Sequence, residues 1–427
     1  MADNYDSNFT TKLAKGFLAE FESERVLSKA VNTQKLDGKF KPDAGDTTEF
    51  KRPTDYVTVR TAKGDVSGET VGSIVTGKAH GTVQNYFTAF VDYDEADEAI
   101  KMDELEGLLR PMATRMCTAV ELDFAAFMMK NTALISGTPG NAVDTWDEVA
   151  DAGAVMKATG VPMDKPWYYS VNPFTQKKLA SNQRSLGAGG SAGSLISESV
   201  KKATISEAFA GFDRVMTATT LASYTTGTGA DRAGTLTATP TGTYVGAKDT
   251  MTQTLSVTAF QANLVVAAGE TIKVAGRYRL NLSTRQAIVD ETGAQILWTG
   301  TVTAAVELDG DGAGDLVVTG PAIYEALGAY NTVNSAVASG DVVTLLGAAT
   351  TLYQPNLFWY KDAFSIGSVP IKKLSAQDTV ATSKDGLQFR VSKGSNFLEN
   401  EQLVRIDFRP AYAVLNPFFA GQGFGAA

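Results

Sequence analysis

Few residues in this chain could do chemistry. Histidine occurs once, at His80, and cysteine once, at Cys117. With a single imidazole on a strand-like pattern, histidine-dependent triads, Cys/His pairs and multi-histidine metal sites are set aside, and His80 reads as structural or solvent-exposed. Cys117 lies inside an apolar helical pattern and reads as a small core hydrophobe. Alone, it forms no internal disulfide and fits a reducing compartment. The carboxylates are more suggestive. Asp309-Gly310-Asp311-Gly312-Ala313-Gly314-Asp315 approaches a calcium-loop pattern, yet Ala313 stands at the third acidic position and Gly320 where the closing glutamate belongs, so a hairpin turn is expected. Pairs such as Asp309/Asp311 or Asp290/Glu291 would suit glycoside hydrolysis only if a fold set them across a cleft, which sequence neighbours do not establish. Gly187-x-Gly189-Gly190 lacks the dinucleotide spacing and is followed by no Gly-Lys-Ser/Thr, so it reads as a flexible loop. No catalytic constellation, metal site or cofactor is expected.

The elements that would carry these residues belong to a large globular chain. Its 427 residues, 44% hydrophobic and 20% charged, can bury a sizeable core and should divide into two or three domains. The longest apolar runs fall far short of the ~20 residues a membrane helix needs. The first ten residues, MADNYDSNFT, lack the basic and apolar regions of a signal peptide. The net charge of -9 repels a phosphate backbone, so sequence-specific nucleic-acid binding is not expected. Lys177-Lys178 and Lys201-Lys202 read as solvated helix faces.

The dominant pattern is a helix over 111–130, in which Met112, Met116, Val120, Phe124 and Met128 recur every fourth residue. Pro111 suits its first turn, with a break expected at Arg110-Pro111 and an acidic helix over 92–109 before it. Residues 8–31 read as an amphipathic helix with Phe9, Leu13, Phe17 and Phe21 on one stripe, which must dock on its own body or on another chain. Between 47 and 93 the pattern turns to strands, at 55–60 and 80–92, around a polar glycine-rich stretch at 63–72; a long β-hairpin is the simplest picture. Trp167-Tyr168-Tyr169-Ser170-Val171 and a helix over 145–159 begin an α/β region. Near Thr219 the composition becomes Thr-, Gly-, Ala- and Val-rich until about Thr351, with strand candidates at 255–258, 271–274, 287–289, 295–302, 315–318 and 341–345, a separate all-β module carrying six basic and eleven acidic residues. Strand-like runs resume at 357–360 and 364–366, and 403–408 and 412–415 read as a final pair around Arg409-Pro410. The Gly/Ala-rich tail after Pro417 reads as flexible.

Several runs in a fixed order carry a resemblance: Trp146-Asp147-Glu148-Val149-Ala150-Asp151-Ala152, Ala210-Gly211-Phe212-Asp213, Ala329-Tyr330-Asn331-Thr332-Val333-Asn334, Asn356-Leu357-Phe358-Trp359 and Val369-Pro370-Ile371. Over roughly residues 85–420 the chain resembles the major coat proteins of short-tailed Salmonella phage P twenty-two and its relatives. The resemblance implies an α+β fold of the tailed-phage capsid type called Hong Kong ninety-seven, with a spine helix, an extended β-hairpin loop and an inserted all-β barrel-like domain. It divides the chain into an N-terminal arm (1–33), the extended loop with peripheral strands (34–93), a peripheral domain with the spine helix (94–135), an apical domain in two parts (136–219 and 352–382) around the inserted barrel (220–351), and C-terminal peripheral strands (383–427).

The function it implies is a major capsid protein, made in the bacterial host cytoplasm, that self-assembles as pentamers and hexamers into an icosahedral virion shell. Its partners would be copies of itself, an internal scaffolding protein, a portal protein and packaged DNA enclosed without sequence-specific binding, with no membrane; a procapsid would expand as DNA enters. The arm stripe Phe9, Leu13, Phe17 and Phe21 becomes a candidate subunit or scaffold contact. So do Lys248 and Asp249, the charges that 240–252 offers where the family's intercapsomer loop is acidic. The competing reading is a β-rich surface or tail adhesin binding glycans, suggested by the Thr/Gly-rich module.

Overall fold

The computed structural model describes residues 5–33, 47–52, 56, 58, 60–67, 75–94, 105–187, 199, 201–326, 328–369, 371–375, 378–396 and 401–426. The chain forms two compact units: Met1–Glu49, His80–Ala125 and Phe364–Ala413 make the first, and Phe50–Ala79, Ala126–Ala363 and Val414–Ala427 the second.

In the first unit a four-stranded antiparallel sheet runs in the order Thr379–Thr382, Gln388–Asn396, Glu401–Phe408, Phe87–Asp94. Alternation along these strands sends Phe389, Val391, Val404, Ile406 and Phe408 to one face. Two helices supply that face with partners. The arm helix, Tyr5–Glu24, contributes Leu13, Ala14, Phe17 and Phe21, and the spine helix, Leu105–Lys130, contributes Ala113, Met116, Cys117 and Val120. The aromatic rings interlock: Phe21 meets Phe389 edge-on at 4.8 Å between centroids, and Phe389 stacks on Phe408 at 4.6 Å. A second sheet of this unit includes Phe364–Ser368, buried along its whole length, which takes Asn32–Thr33 as a parallel neighbour, and Pro410–Val414, which pairs with residues 81–83.

Three expectations need correction here. The spine helix does not begin at Pro111; it starts at Leu105 and runs through the proline, losing one main-chain hydrogen bond to the ring nitrogen. The acidic helix over 92–109 gives way to strand at Phe87–Asp94, with residues 95–104 outside the described part. The strands at 403–408 and 412–415 do not pair with each other: 401–408 joins the four-stranded sheet, and beyond Arg409 the chain enters the second sheet. The hairpin reading also shifts. Strands Thr47–Arg52 and Gly77–Val83 are hydrogen-bonded neighbours, whereas Tyr56, Thr58 and Arg60, expected in a strand, belong to none. His80 lies on an outward position of Gly77–Val83 and is exposed.

The second unit holds a five-stranded mixed sheet in the order Leu134–Ser136, Ala420–Gly423, Asn356–Tyr360, Trp167–Val171, Arg214–Thr217. Helix Trp146–Thr159 packs Val149, Ala152 and Met156 into its core, starting at a Thr145/Glu148 capping box and ending at Gly160 with φ 87°. Helix Pro173–Gly187 follows; the expected glycine loop continues into residues 188–198, outside the described part. The Gly/Ala tail is not flexible. Ala420–Gly423 is an interior strand, fully buried, and its two glycines face aromatic rings that leave no room for a side chain: a Cβ at Gly421 would meet Phe358 Cζ at 2.2 Å, and one at Gly423 would meet Tyr169 Oη at 2.6 Å.

Within the same unit six antiparallel strands close into a barrel, in the order Thr252–Thr258, Gly314–Thr319, Leu297–Val302, Thr271–Tyr278, Val342–Leu345, Ala233–Leu236. Leu255, Val257, Ile272, Val274, Trp298, Leu316, Val318 and Val343 fill it. Trp298 donates its indole N–H to Gly320 O at 3.0 Å, so the largest core side chain leaves no buried donor unpaired. The expected strand at 287–289 makes isolated bridges only, being confined between turns at Arg285 and Asp290.

The ring cluster of the first unit makes a direct test. Phe21→Ala removes a ring that touches both Phe389 and Phe408, and should cost about 3–5 kcal/mol in urea denaturation of the soluble chain.

Candidate functional site

Among the described residues no group of three or more His, Cys, Asp or Glu side chains is placed to hold a metal ion, and no helix is long and apolar enough to cross a membrane. The carboxylates singled out above serve their own turns. Asp309 Oδ1 accepts from the amides of Asp311 (2.9 Å) and Ala313 (2.8 Å), closing the turn that leads into Gly314–Thr319. Asp290 Oδ1 likewise takes the Thr292 hydroxyl and the amides of Thr292 and Ala294, and the Thr292 hydroxyl leads in holding its pKa below the ordinary value. Burial, with Glu121 nearby, pushes the Cys117 thiol up to about 12, so it stays protonated and unreactive at neutral pH.

The chemistry of this molecule lies in how distant segments are joined. In the first unit the chain leaves the arm helix through a tight turn whose amides find no helical partner. Glu121, on the buried side of the spine helix, receives them: Leu27 N at 2.7 Å, Ser28 N at 3.1 Å, and the Ser28 hydroxyl. Arg25 braces the same turn, donating to Ser28 Oγ (2.8 Å), Ser28 O (2.9 Å) and Asp385 (2.8 Å). All of Arg25, Ser28 and Glu121 are buried. Of the arm stripe, Leu13, Phe17 and Phe21 are buried in the first unit against the four-stranded sheet and the spine helix. The side chain of Phe9 lies outside the described part.

Across the four-stranded sheet, Asp407 collects Thr88 Oγ1 (2.7 Å), Arg405 Nε (2.7 Å) and both Nε and Nη2 of Arg390. Burial alone would raise its pKa, but these donors outweigh it and hold the carboxyl below its ordinary 3.8.

In the second unit the barrel is joined to the mixed sheet and the end of the spine helix by side chains that bind main-chain oxygens. Arg279 Nη2 and Thr299 Oγ1 both donate to Ala133 O at 3.0 Å. Gln422 Nε2 bridges Met129 O (3.2 Å) and Gly269 O (3.0 Å), and Asn281 Nδ2 reaches Ala158 O at 2.7 Å. Glycines allow the close approach: a Cβ at Gly320 would stand 2.4 Å from Ala133 Cβ. Burial lowers the Arg279 pKa to about 10, so it remains a cation at neutral pH. Lys248 and Asp249, expected as an intercapsomer contact, are engaged within the unit: Asp249 accepts the Lys78 amide at 2.9 Å and pairs with Lys248 Nζ at 3.1 Å.

Within each unit these joints tie distant segments together, and among the described residues none of them holds a metal-binding group. The family model described as P22 coat protein, gene protein 5, matches residues 1–425. The chain belongs to the P22 coat protein family. The major capsid protein of Acyrthosiphon pisum secondary endosymbiont phage 1 is 33% identical over 430 residues, covering all of both chains. Among solved structures, one titled Mycobacterium phage Che8 is 12% identical with a TM-score of 0.46, covering 93% of this chain and 90% of that one, and the capsid of Ralstonia phage GP4 is 9% identical with a TM-score of 0.43, covering 93% and 88%. As a member of the P22 coat protein family this chain is a structural major capsid protein of a phage shell, not an enzyme. Its α+β class and closed barrel agree with the reading of the sequence.

The buried charges had only weak sequence signals. Glu121 sits one helical turn after Cys117 and beside Val120, on the apolar stripe, where a solvated carboxylate does not belong. Arg390 and Asp407 face each other in register across paired strands, which no local pattern announces.

Two predictions follow from these joints. Glu121→Ala leaves the Leu27 and Ser28 amides buried without their acceptor and should cost at least ~3 kcal/mol in equilibrium denaturation. Because the folded pKa of Asp407 is depressed, its contribution is complete above the unfolded value and is lost as pH falls through the folded one. Unfolding free energy measured against pH should therefore drop below about pH 4, and Asp407→Asn should flatten that acid limb while lowering stability at pH 7.

Proposed function

We propose that this coat protein assembles with an internal scaffolding protein into a procapsid that expands as DNA is packaged. Pentamers and hexamers of the chain, a portal protein and non-specifically enclosed DNA complete the particle, and the subunits are made in the bacterial host cytoplasm before entering the virion. Family membership over residues 1–425 carries this reading. It favours a shell over a glycan-binding adhesin, and units whose distant segments are tied together suit tiling by many weak, repeated contacts.

In this proposal the chain divides as 1–33 arm, 34–93 extended loop, 94–135 peripheral domain with the spine, 136–219 and 352–382 apical domain, 220–351 inserted barrel, and 383–427 C-terminal strands. The arm acts through its packing. Leu13, Phe17 and Phe21 dock it on the first unit, and a shift of that docking between immature and mature shells would make the arm a two-state element. Scaffold or neighbour contact by this stripe, Phe9 included, would accompany such a shift.

Co-expression with the scaffolding protein of the same phage should give uniform closed shells by electron microscopy, and heating should enlarge them. Hydrogen exchange over residues 5–24 should differ between the two forms. Open sheets or monomers alone would contradict assembly, and identical exchange would contradict the arm's two states.

A further inference from the structure

Arg52 and residues 75–78, all within the second unit, lie beside one short helix, Tyr244–Ala247, and four independent contacts meet there. Arg52, buried, donates Nη1 to Lys248 O and to Asp249 O (3.2 Å), Nε to Leu415 O (2.7 Å) and Nη2 to Val414 O (2.9 Å). Its acceptors are all main-chain oxygens. On the returning side Lys78 donates its amide to Asp249 Oδ1 at 2.9 Å. Gly77 passes so close to the same carbonyl that an added Cβ would lie 2.5 Å from Lys248 O. Val75 packs against the cluster of Tyr244, Ala247, Met251 and Tyr330.

We propose that the 244–249 segment of the insertion is an intramolecular clasp that fixes both ends of the 53–76 segment. Thr243 starts the short helix by accepting the Gly246 amide, and Lys248 closes it by donating its amide to Tyr244 O at 2.8 Å. The carbonyls of Lys248 and Asp249 therefore leave the helix end unsatisfied by any further turn and are available to a cation. Arg52 is that cation, and its second pair of bonds, to residues 414–415, ties the same point to the C-terminal strand region. Lys248 and Asp249 thereby hold Arg52 on one side and Gly77–Lys78 on the other. The clasp is a property of the single chain and stands whether or not shell assembly follows the course proposed above.

The test is hydrogen exchange, read by mass spectrometry, on the chain of residues 1–427 and three variants. Asp249→Ala removes the acceptor of the Lys78 amide, Gly77→Ala forces the strand off Lys248, and Arg52→Ala removes the cation. Each should speed exchange by about tenfold or more in peptides from both sides of the joint, 75–83 and 244–251, while peptides over 252–258 and 297–302 in the barrel keep their wild-type rates. Asp249→Ala and Gly77→Ala decide the matter should Arg52→Ala fail to fold. Acceleration confined to the mutated side, or none on either side, would overturn the clasp.

Discussion

A main-chain amide or carbonyl buried outside a helix or sheet must find a partner, and leaving one without costs about 1–3 kcal/mol. That constraint shapes both units, because in each of them distant segments of the chain meet outside any helix or sheet. At each meeting a charged or amide side chain is buried to serve the backbone. Glu121 takes the amides of the turn after the arm, Arg52 takes four carbonyls at the base of the 53–76 segment, Arg279 takes the carbonyl of Ala133, and Gln422 spans Met129 and Gly269. Hydrophobic burial drives collapse, but it is non-directional. These bonds fix which segment meets which.

The aromatic clusters supply the complementary rigidity. Phe17, Phe21, Phe389 and Phe408 lock the arm helix to the four-stranded sheet, while Tyr169, Phe212 and Phe358 fill the second unit's sheet. Close packing of the Phe358 and Tyr169 rings leaves no room for a side chain at the facing positions, which are Gly421 and Gly423. A coat subunit benefits from both features, since a repeated lattice amplifies any looseness within its unit.

Much of this architecture was legible in the sequence. The four-residue spacing from Met116 to Met128 marked the spine, the stripe through Leu13, Phe17 and Phe21 marked the arm, and five of the six barrel strands showed as β-branched runs between turn residues. What stayed hidden shares one cause: residue types whose usual roles invert under tertiary packing. The strand Ala233–Leu236 was not among the strand candidates, since Gly234 interrupts its apolar run, although a Cβ there would strike the Phe260 ring at 2.3 Å. The C-terminal Gly/Ala run looked flexible for the same reason. Arg52, Arg279 and Asp407 carried no local signal of burial, and Glu121 only its place on the apolar stripe, because only the fold brings the groups they bond within reach. The Asp309–Asp315 run departs from a calcium loop at Ala313 and Gly320 and was expected to turn, and the turn uses the first carboxylate.

The central claim, that buried side chains hold the returning segments through their backbone, is tested most directly at the turn after the arm. Residue-resolved amide exchange of the intact protein should show Leu27 and Ser28, which lie in no helix or strand, exchanging as slowly as the paired amides of Gln388–Asn396. Exchange of those two amides at the rate of an open loop would contradict the account.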